Sequence, residues 1–177
     1  GRIFDLLKSR GLDEKTIVFF SSDNGPHKEG GADPEFFNSS GPLKGYKRSL
    51  HEGGIRVPML VRWPGRIKAG SVSDHVCAFW DFLPTAAEIA GVKPPENIDG
   101  ISMLPELLGM EQPRHEYLYW EFSHGLPYQA VRMGEWKGIR EKHDHPVQLY
   151  NLKNDIGETK NVADKHPEVV TRVERYL

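Results

Sequence analysis

The chain has 177 residues, 38% of them hydrophobic and 27% charged, which suits one sizeable globular core, or a core with a small appendage. A formal net charge of −2 leaves no global field to draw in nucleic acid or an anionic membrane, so any anion binding is local. No apolar stretch reaches the length of a membrane span, and the single cysteine, Cys77, excludes an internal disulfide.

Ile3, Phe4, Leu6 and Leu7 mark one face of a helix over residues 1–10, with Gly11 as its stop. The chain opens directly in this pattern and without Met, as expected of a piece cut from a longer α/β protein. The apolar run at 16–22 reads as a buried parallel strand. Residues 23–55 follow, rich in glycine and without a sustained period. A loop of that length with mixed charges and aromatics (Phe36, Phe37, Tyr46) is expected to be functional. A second apolar strand spans 57–63 and ends at Pro64-Gly65. A short helix covers 81–90, closed by Gly91 and barred by Pro94-Pro95, and another lies near 104–108.

Gln112-Pro113 reads as a boundary between a core, 1–112, and a small α+β subdomain, 113–177. Beyond it, strand-like runs occupy 117–122, 129–133, 136–140 and 148–152, with a tight hairpin at Met133-Gly134-Glu135. A final helix starts at Pro167 and sets Val169, Val170, Val173 and Leu177 on one face.

Asp23-Asn24-Gly25 has two readings. It is an ordinary turn, since Asn and Gly tolerate positive φ. It is also a pair of hard oxygen donors at the end of a strand, the ligand type that Ca²⁺ and Mg²⁺ prefer. A cationic, glycine-rich stretch follows, Lys47-Arg48 and then Glu52-Gly53-Gly54-Ile55-Arg56, which suits a bound oxyanion. Lys47 and Arg48 are then anion contacts or solvated side chains. His27 is a proton donor to a leaving group or a surface histidine. Arg56 reads as an ion-pair partner of Glu52. Asp74, Asp81 and Asp99 read as caps and turn formers. Glu121 and His124, at a strand end, border a substrate cleft or are merely exposed.

Ser22-Asp23-Asn24-Gly25, followed by the run from Leu43-Lys44-Gly45-Tyr46-Lys47 through His51-Glu52-Gly53-Gly54-Ile55-Arg56-Val57-Pro58, resembles the C-terminal half of a type I sulfatase, in the alkaline phosphatase superfamily. Asp81-Phe82-Leu83-Pro84-Thr85, Asp99-Gly100-Ile101-Ser102, Arg132-Met133-Gly134-Glu135-Trp136-Lys137 and Leu149-Tyr150-Asn151-Leu152 extend the likeness over essentially the whole chain. The resemblance implies an α/β fold: the C-terminal part of a mixed-sheet core, then a small antiparallel sheet with a C-terminal helix. It implies hydrolysis of sulfate esters on a sulfated carbohydrate or aryl compound, with Ca²⁺ (or Mg²⁺) held by Asp23 and Asn24. By motif position Lys47 contacts the sulfate; Arg48, His27 and His124 are candidate substrate contacts on their own chemistry and placement, not on the family motif. The family's nucleophile is a formylglycine made within a Cys/Ser-x-Pro-x-Arg run. The nearest run here, Ser40-Gly41-Pro42-Leu43-Lys44, carries Lys for Arg. The resemblance thus places the nucleophile in a missing N-terminal half, the expected partner of this chain, and leaves the chain alone inactive. It also implies a periplasmic, extracellular or lysosomal setting. The rivals are a phosphonate or phosphodiester hydrolase of the same superfamily and a non-catalytic binder of anionic sugars.

Overall fold

The computed structural model describes residues 1–123 and 127–177. They form two compact units, residues 1–21 with 59–115, and residues 22–58 with 116–177.

The first unit begins with helix α1 (Arg2–Ser9), and Gly11 takes the left-handed φ of 66° that ends it. Strand β1 (Val18–Ser21) pairs antiparallel with β2 (Met59–Arg62), Phe19 opposite Val61 and Phe20 opposite Leu60. The expected buried parallel strand is therefore corrected. An apolar run reports length and burial tendency, not strand direction, and Phe20 and Leu60 stay exposed on one face of this ribbon. On the other face Phe19 meets Phe82 edge-on, ring centroids 5.3 Å apart. Arg62 fastens β2 to the turn after α1: its Nη2 donates to Asp13 Oδ2 at 2.9 Å, and its guanidinium lies over the Phe4 ring at 4.6 Å.

Helix α3 (Phe82–Ile89) and the one-turn α4 (Leu104–Leu107) are held together by a buried aspartate. Asp81 accepts from Ala78 N–H and Ile101 N–H, both at 2.8 Å, and meets His115 Nε2 at 2.8 Å. Thr85 Oγ1 donates to Asp81 O at 2.6 Å and accepts from Met103 N–H at 2.9 Å. The capping role expected of Asp81 is there, and the same carboxylate also fixes the 99–103 connection.

The second unit is built on an antiparallel sheet in the order β3 (Leu118–Ser123), β4 (Pro127–Met133), β5 (Trp136–Arg140), β6 (Gln148–Asn151). The β4–β5 turn is the expected tight hairpin, Met133 opposite Trp136 with Gly134 at a φ of 56°. Alternation gives the sheet two faces. Val131, Met133 and Leu149 face helix α5 (Pro167–Glu174) and bury its Val169 and Val173. A Cβ on Gly138 would lie 2.4 Å from Val173 Cγ1, so glycine there lets the helix sit close. Ala130, Ile139 and Tyr150 form the opposite core with Leu50, and Ile55 packs against it. That second face holds residues 44–56, including an unexpected one-turn helix, α2 (Glu52–Ile55).

Candidate functional site

Residues 44–56 approach the sheet through buried charge. In the β4–β5 register Arg132 stands directly opposite Lys137. Two like charges in that position destabilise a sheet unless something is placed between them. Glu52 fills that place: its Oε1 is 2.8 Å from Lys137 Nζ and its Oε2 is 3.4 Å from Arg132 Nη1. Arg56 adds a longer contact to Glu52 at 3.8 Å, the pairing expected from the sequence. A second carboxylate completes the cluster. Glu158 Oε2 accepts from the Glu52 backbone N–H at 2.7 Å, while its Oε1 lies 3.4 Å from Lys137 Nζ and 3.0 Å from His51 Nδ1. His51 Nδ1 and Glu158 Oε1 are close without the alignment of a hydrogen bond. Lys137, Glu52 and Glu158 are all essentially inaccessible to solvent. Burial alone would push the Glu158 carboxyl up, but His51 and Lys137 outweigh it and hold it below its ordinary value of 4.5.

Glycines then let three backbone segments interlock. Gly25 N–H donates to Gly54 O at 2.9 Å, Lys47 N–H to Pro26 O at 2.8 Å, and Gly53 N–H to Lys44 O at 2.7 Å. A Cβ on Gly25 would fall 1.8 Å from Gly53 O, one on Gly53 2.3 Å from Gly45 O, and one on Gly54 2.1 Å from Ser49 O. All three obstacles are backbone, so no side chain can move aside to make room. The segment Asp23–His27 is thereby fixed beside Lys47-Arg48.

Asp23 is exposed, and its carboxylate has no hydrogen bond or ion pair among the described residues. Asn24 donates from Nδ2 to Gly25 O at 2.8 Å, and its amide oxygen has no hydrogen bond among the described residues. Two neighbouring hard oxygen donors, one charged and one neutral, fit a Ca²⁺ or Mg²⁺ ion chemically. Among the described residues no group of three or more His, Cys, Asp or Glu is placed to hold a metal ion.

Lys47 and Arg48 share one carboxylate that the sequence did not single out. Glu29 Oε1 lies 2.6 Å from Arg48 Nη2, and its Oε2 lies 3.5 Å from Lys47 Nζ. Arg48 first, then Lys47, lower the Glu29 carboxyl below its ordinary value. Arg48 holds a φ of 76°, a left-handed conformation that costs a bulky residue energy and marks a constrained position. Glu29 N–H donates to His27 Nδ1 at 3.0 Å, so the ring presents Nε2 outward. His27, Lys47 and Arg48 thus converge on one turn, Glu29-Gly30-Gly31. His124 lies outside the described residues.

The sequence reading missed the Glu52–Lys137–Glu158 cluster, although one signal was present. Lys137 shares strand parity with the buried Ile139, so a charge stands where alternation calls for an apolar residue.

Lys137→Met leaves Glu52 and Glu158 buried without their main counter-charge and is expected to cost about 3–5 kcal/mol of stability, read by urea denaturation. Glu158 has a lowered folded pKa, so its stabilisation is full above about pH 4.5 and is lost as pH falls through the folded value. Acid titration of Glu158→Gln, compared at matched starting stability, should therefore show a shallower loss below pH 4.5 than the parent.

Residues 45–177 match the family described as N-sulphoglucosamine sulphohydrolase, C-terminal. The N-acetylgalactosamine-6-sulfatase of Rattus norvegicus is 32% identical over 183 residues, which covers 96% of this chain and 33% of that protein. The N-acetylgalactosamine-6-O-sulfatase of Bacteroides thetaiotaomicron is 31% identical over 199 residues, covering 100% of this chain and 38% of that protein. The solved structure of Ps i-CgsB in complex with k-i-k-neocarrahexaose superposes with a TM-score of 0.85 at 34% identity, over 99% of this chain and 38% of that one. The chain spans about a third of the length of the curated relatives it matches. With an α/β architecture, a small antiparallel sheet under a C-terminal helix, and these relatives, the chain belongs to the sulfatase family.

Proposed function

We propose that this chain is the part of a sulfated-glycan sulfatase that supplies two cation ligands, Asp23 and Asn24, and the cationic wall, Lys47 and Arg48, that receives the sulfate. The Glu29 carboxylate carries this reading. It sits against both cations at 2.6 and 3.5 Å, where a singly charged group with several oxygens is already accommodated. A sulfate ester has the same charge and one more terminal oxygen. Glu29 lies in a turn whose next two residues, Gly30 and Gly31, hold φ values of 66° and 83°, so the backbone that carries it is free of Cβ constraints on swinging away.

In this reading Lys47 and Arg48 bind the sulfate and stabilise charge developing on it. His27, whose Nδ1 accepts from Glu29 N–H and which therefore carries its hydrogen on Nε2, offers that N–H as a hydrogen-bond donor to the bridging ester oxygen. A divalent ion at Asp23 and Asn24, Ca²⁺ or Mg²⁺, would polarise the sulfate oxygens. His124 remains a proposed substrate contact on sequence grounds.

No Cys/Ser-x-Pro-x-Arg run occurs among the chain's 177 residues. The formylglycine of the family is therefore not made within it, and the chain alone binds the anion without cleaving the ester. The N-terminal region of the relatives is its natural complement. The substrate names of the relatives, N-acetylgalactosamine 6-sulfates among them, support a sulfated glycan as the substrate class. Among the described residues no helix is long and apolar enough to cross a membrane. A periplasmic, extracellular or lysosomal placement completes the proposal.

Titrating the purified chain with inorganic sulfate tests the anion wall. Lys47→Ala should weaken binding about tenfold, and Glu29→Gln should strengthen it about two- to fivefold by releasing both cations. Unchanged affinity in Lys47→Ala defeats the assignment. Calorimetry should find Ca²⁺ bound more weakly than about micromolar, since two donors are a fraction of the roughly six to eight oxygens of a full shell, and Asp23→Ala should abolish the heat.

A further inference from the structure

The second unit buries its apolar side chains well, with one exception. Phe36 and Phe37 are 80% and 71% exposed, while every other large apolar side chain described in that unit is at most 40% exposed. Two adjacent phenylalanines left in water are an unusual concentration of apolar surface, of the kind that marks a binding position.

The pair is held in place by its backbone. Asp33 Oδ1 accepts from Glu35 N–H at 3.1 Å and from Phe36 N–H at 3.0 Å, and Phe37 N–H donates to Asp33 O at 3.2 Å. The two rings meet edge to face with centroids 5.0 Å apart. Glu35 ties this turn to the anion wall. Its Oε1 is 2.5 Å from Lys28 Nζ and accepts from Tyr46 OH at 3.2 Å, and Lys28 Nζ lies 4.8 Å from the centre of the Tyr46 ring. Tyr46 directly precedes Lys47. An ordered aromatic pair therefore stands on the segment that leads into the sulfate wall, rimmed by the exposed charges of Lys28 and Glu35.

We propose that Phe36 and Phe37 form a platform for a pyranose ring of a glycan whose sulfate is held by Lys47 and Arg48. This inference rests on the anion-wall reading above. A pyranose presents a patch of C–H bonds on its face and hydroxyls around its edge. An aromatic face with charged hydrogen-bonding groups at its rim is the complement of that pattern. A lipid or a greasy protein surface would leave Lys28 and Glu35 facing apolar atoms, at a desolvation cost. The platform would bind sugar rings next to the sulfated one and so select oligosaccharides over small aryl sulfates.

Four probes test this on the purified chain: inorganic sulfate, a sulfated galactan tetrasaccharide, its unsulfated counterpart, and the chain itself by sedimentation. The sulfated tetrasaccharide should bind about tenfold more tightly than inorganic sulfate. Phe36→Ala/Phe37→Ala should remove most of that advantage and leave sulfate affinity and the circular dichroism spectrum unchanged. A Phe37→Trp variant should change its fluorescence on adding the unsulfated tetrasaccharide. A double variant that keeps the full oligosaccharide advantage overturns the platform, as does a silent Phe37→Trp signal. Loss of a self-associated form in the double variant would overturn it too, because the pair would then be a contact between copies. If inorganic sulfate does not bind but the tryptophan responds to the unsulfated sugar, the platform stands and the anion wall fails.

Discussion

Glu52, placed between Lys137 and Arg132, is the contact on which the second unit depends. Without it, two cations would face each other across the β4–β5 ladder on the face that buries Ile139 and Ala130. The carboxylate turns a repulsion inside the sheet into an attraction toward a segment outside it. Because Glu52 opens α2, that attraction also sets where residues 44–56 lie. A buried ion pair of this kind adds little net stability over a well-packed apolar substitute, but removing one member is costly. What the arrangement provides is position: in this placement α2 meets Lys137, Arg132 and the Glu158 link to the Glu52 backbone together.

Backbone packing carries this order outward. Lys44, Gly45, Gly53, Gly54 and Gly25 touch main chain to main chain, with no flexible side chain intervening. Lys47 N–H bonded to Pro26 O then sets the cationic residues against the strand of chain that bears Asp23, Asn24 and His27. The line from Lys137 in the sheet to the exposed Lys47 is thus a sequence of short-range contacts within one unit. It also explains the left-handed Arg48, since a strained residue persists only where its surroundings fix it.

Much of this was legible in the sequence because it depends on local pattern. Period-two alternation located all four strands of the small sheet, and the helix over 167–174 showed its apolar face in Val169 and Val173. Gly11, Gly91 and Gly134 marked stops and a turn where positive φ is needed. Ordered motifs, not physics alone, singled out Asp23, Asn24 and Lys47. Strand direction in the β1–β2 ribbon was not legible, since pairing is decided by which strand returns alongside. Nor was Glu29, whose partners lie 18 and 19 positions along the chain in a segment without periodicity. The buried cluster joins residues more than 80 positions apart, a separation that no window of sequence reports.

Glu29 also changes how the protein looks from a distance. Lys47 and Arg48 contribute two positive charges, and the Glu29 carboxylate in contact with both offsets one of them, so the resting surface there is less positive than its two cations suggest. Together with the overall charge of −2, this leaves no long-range pull on passing polyanions such as nucleic acid. In the proposed reading, recognition is postponed to collision range, where an incoming sulfate has to outcompete a carboxylate already in place. Encounter rates should then depend only weakly on ionic strength, and abundant small anions gain little hold on the cations they would otherwise shield.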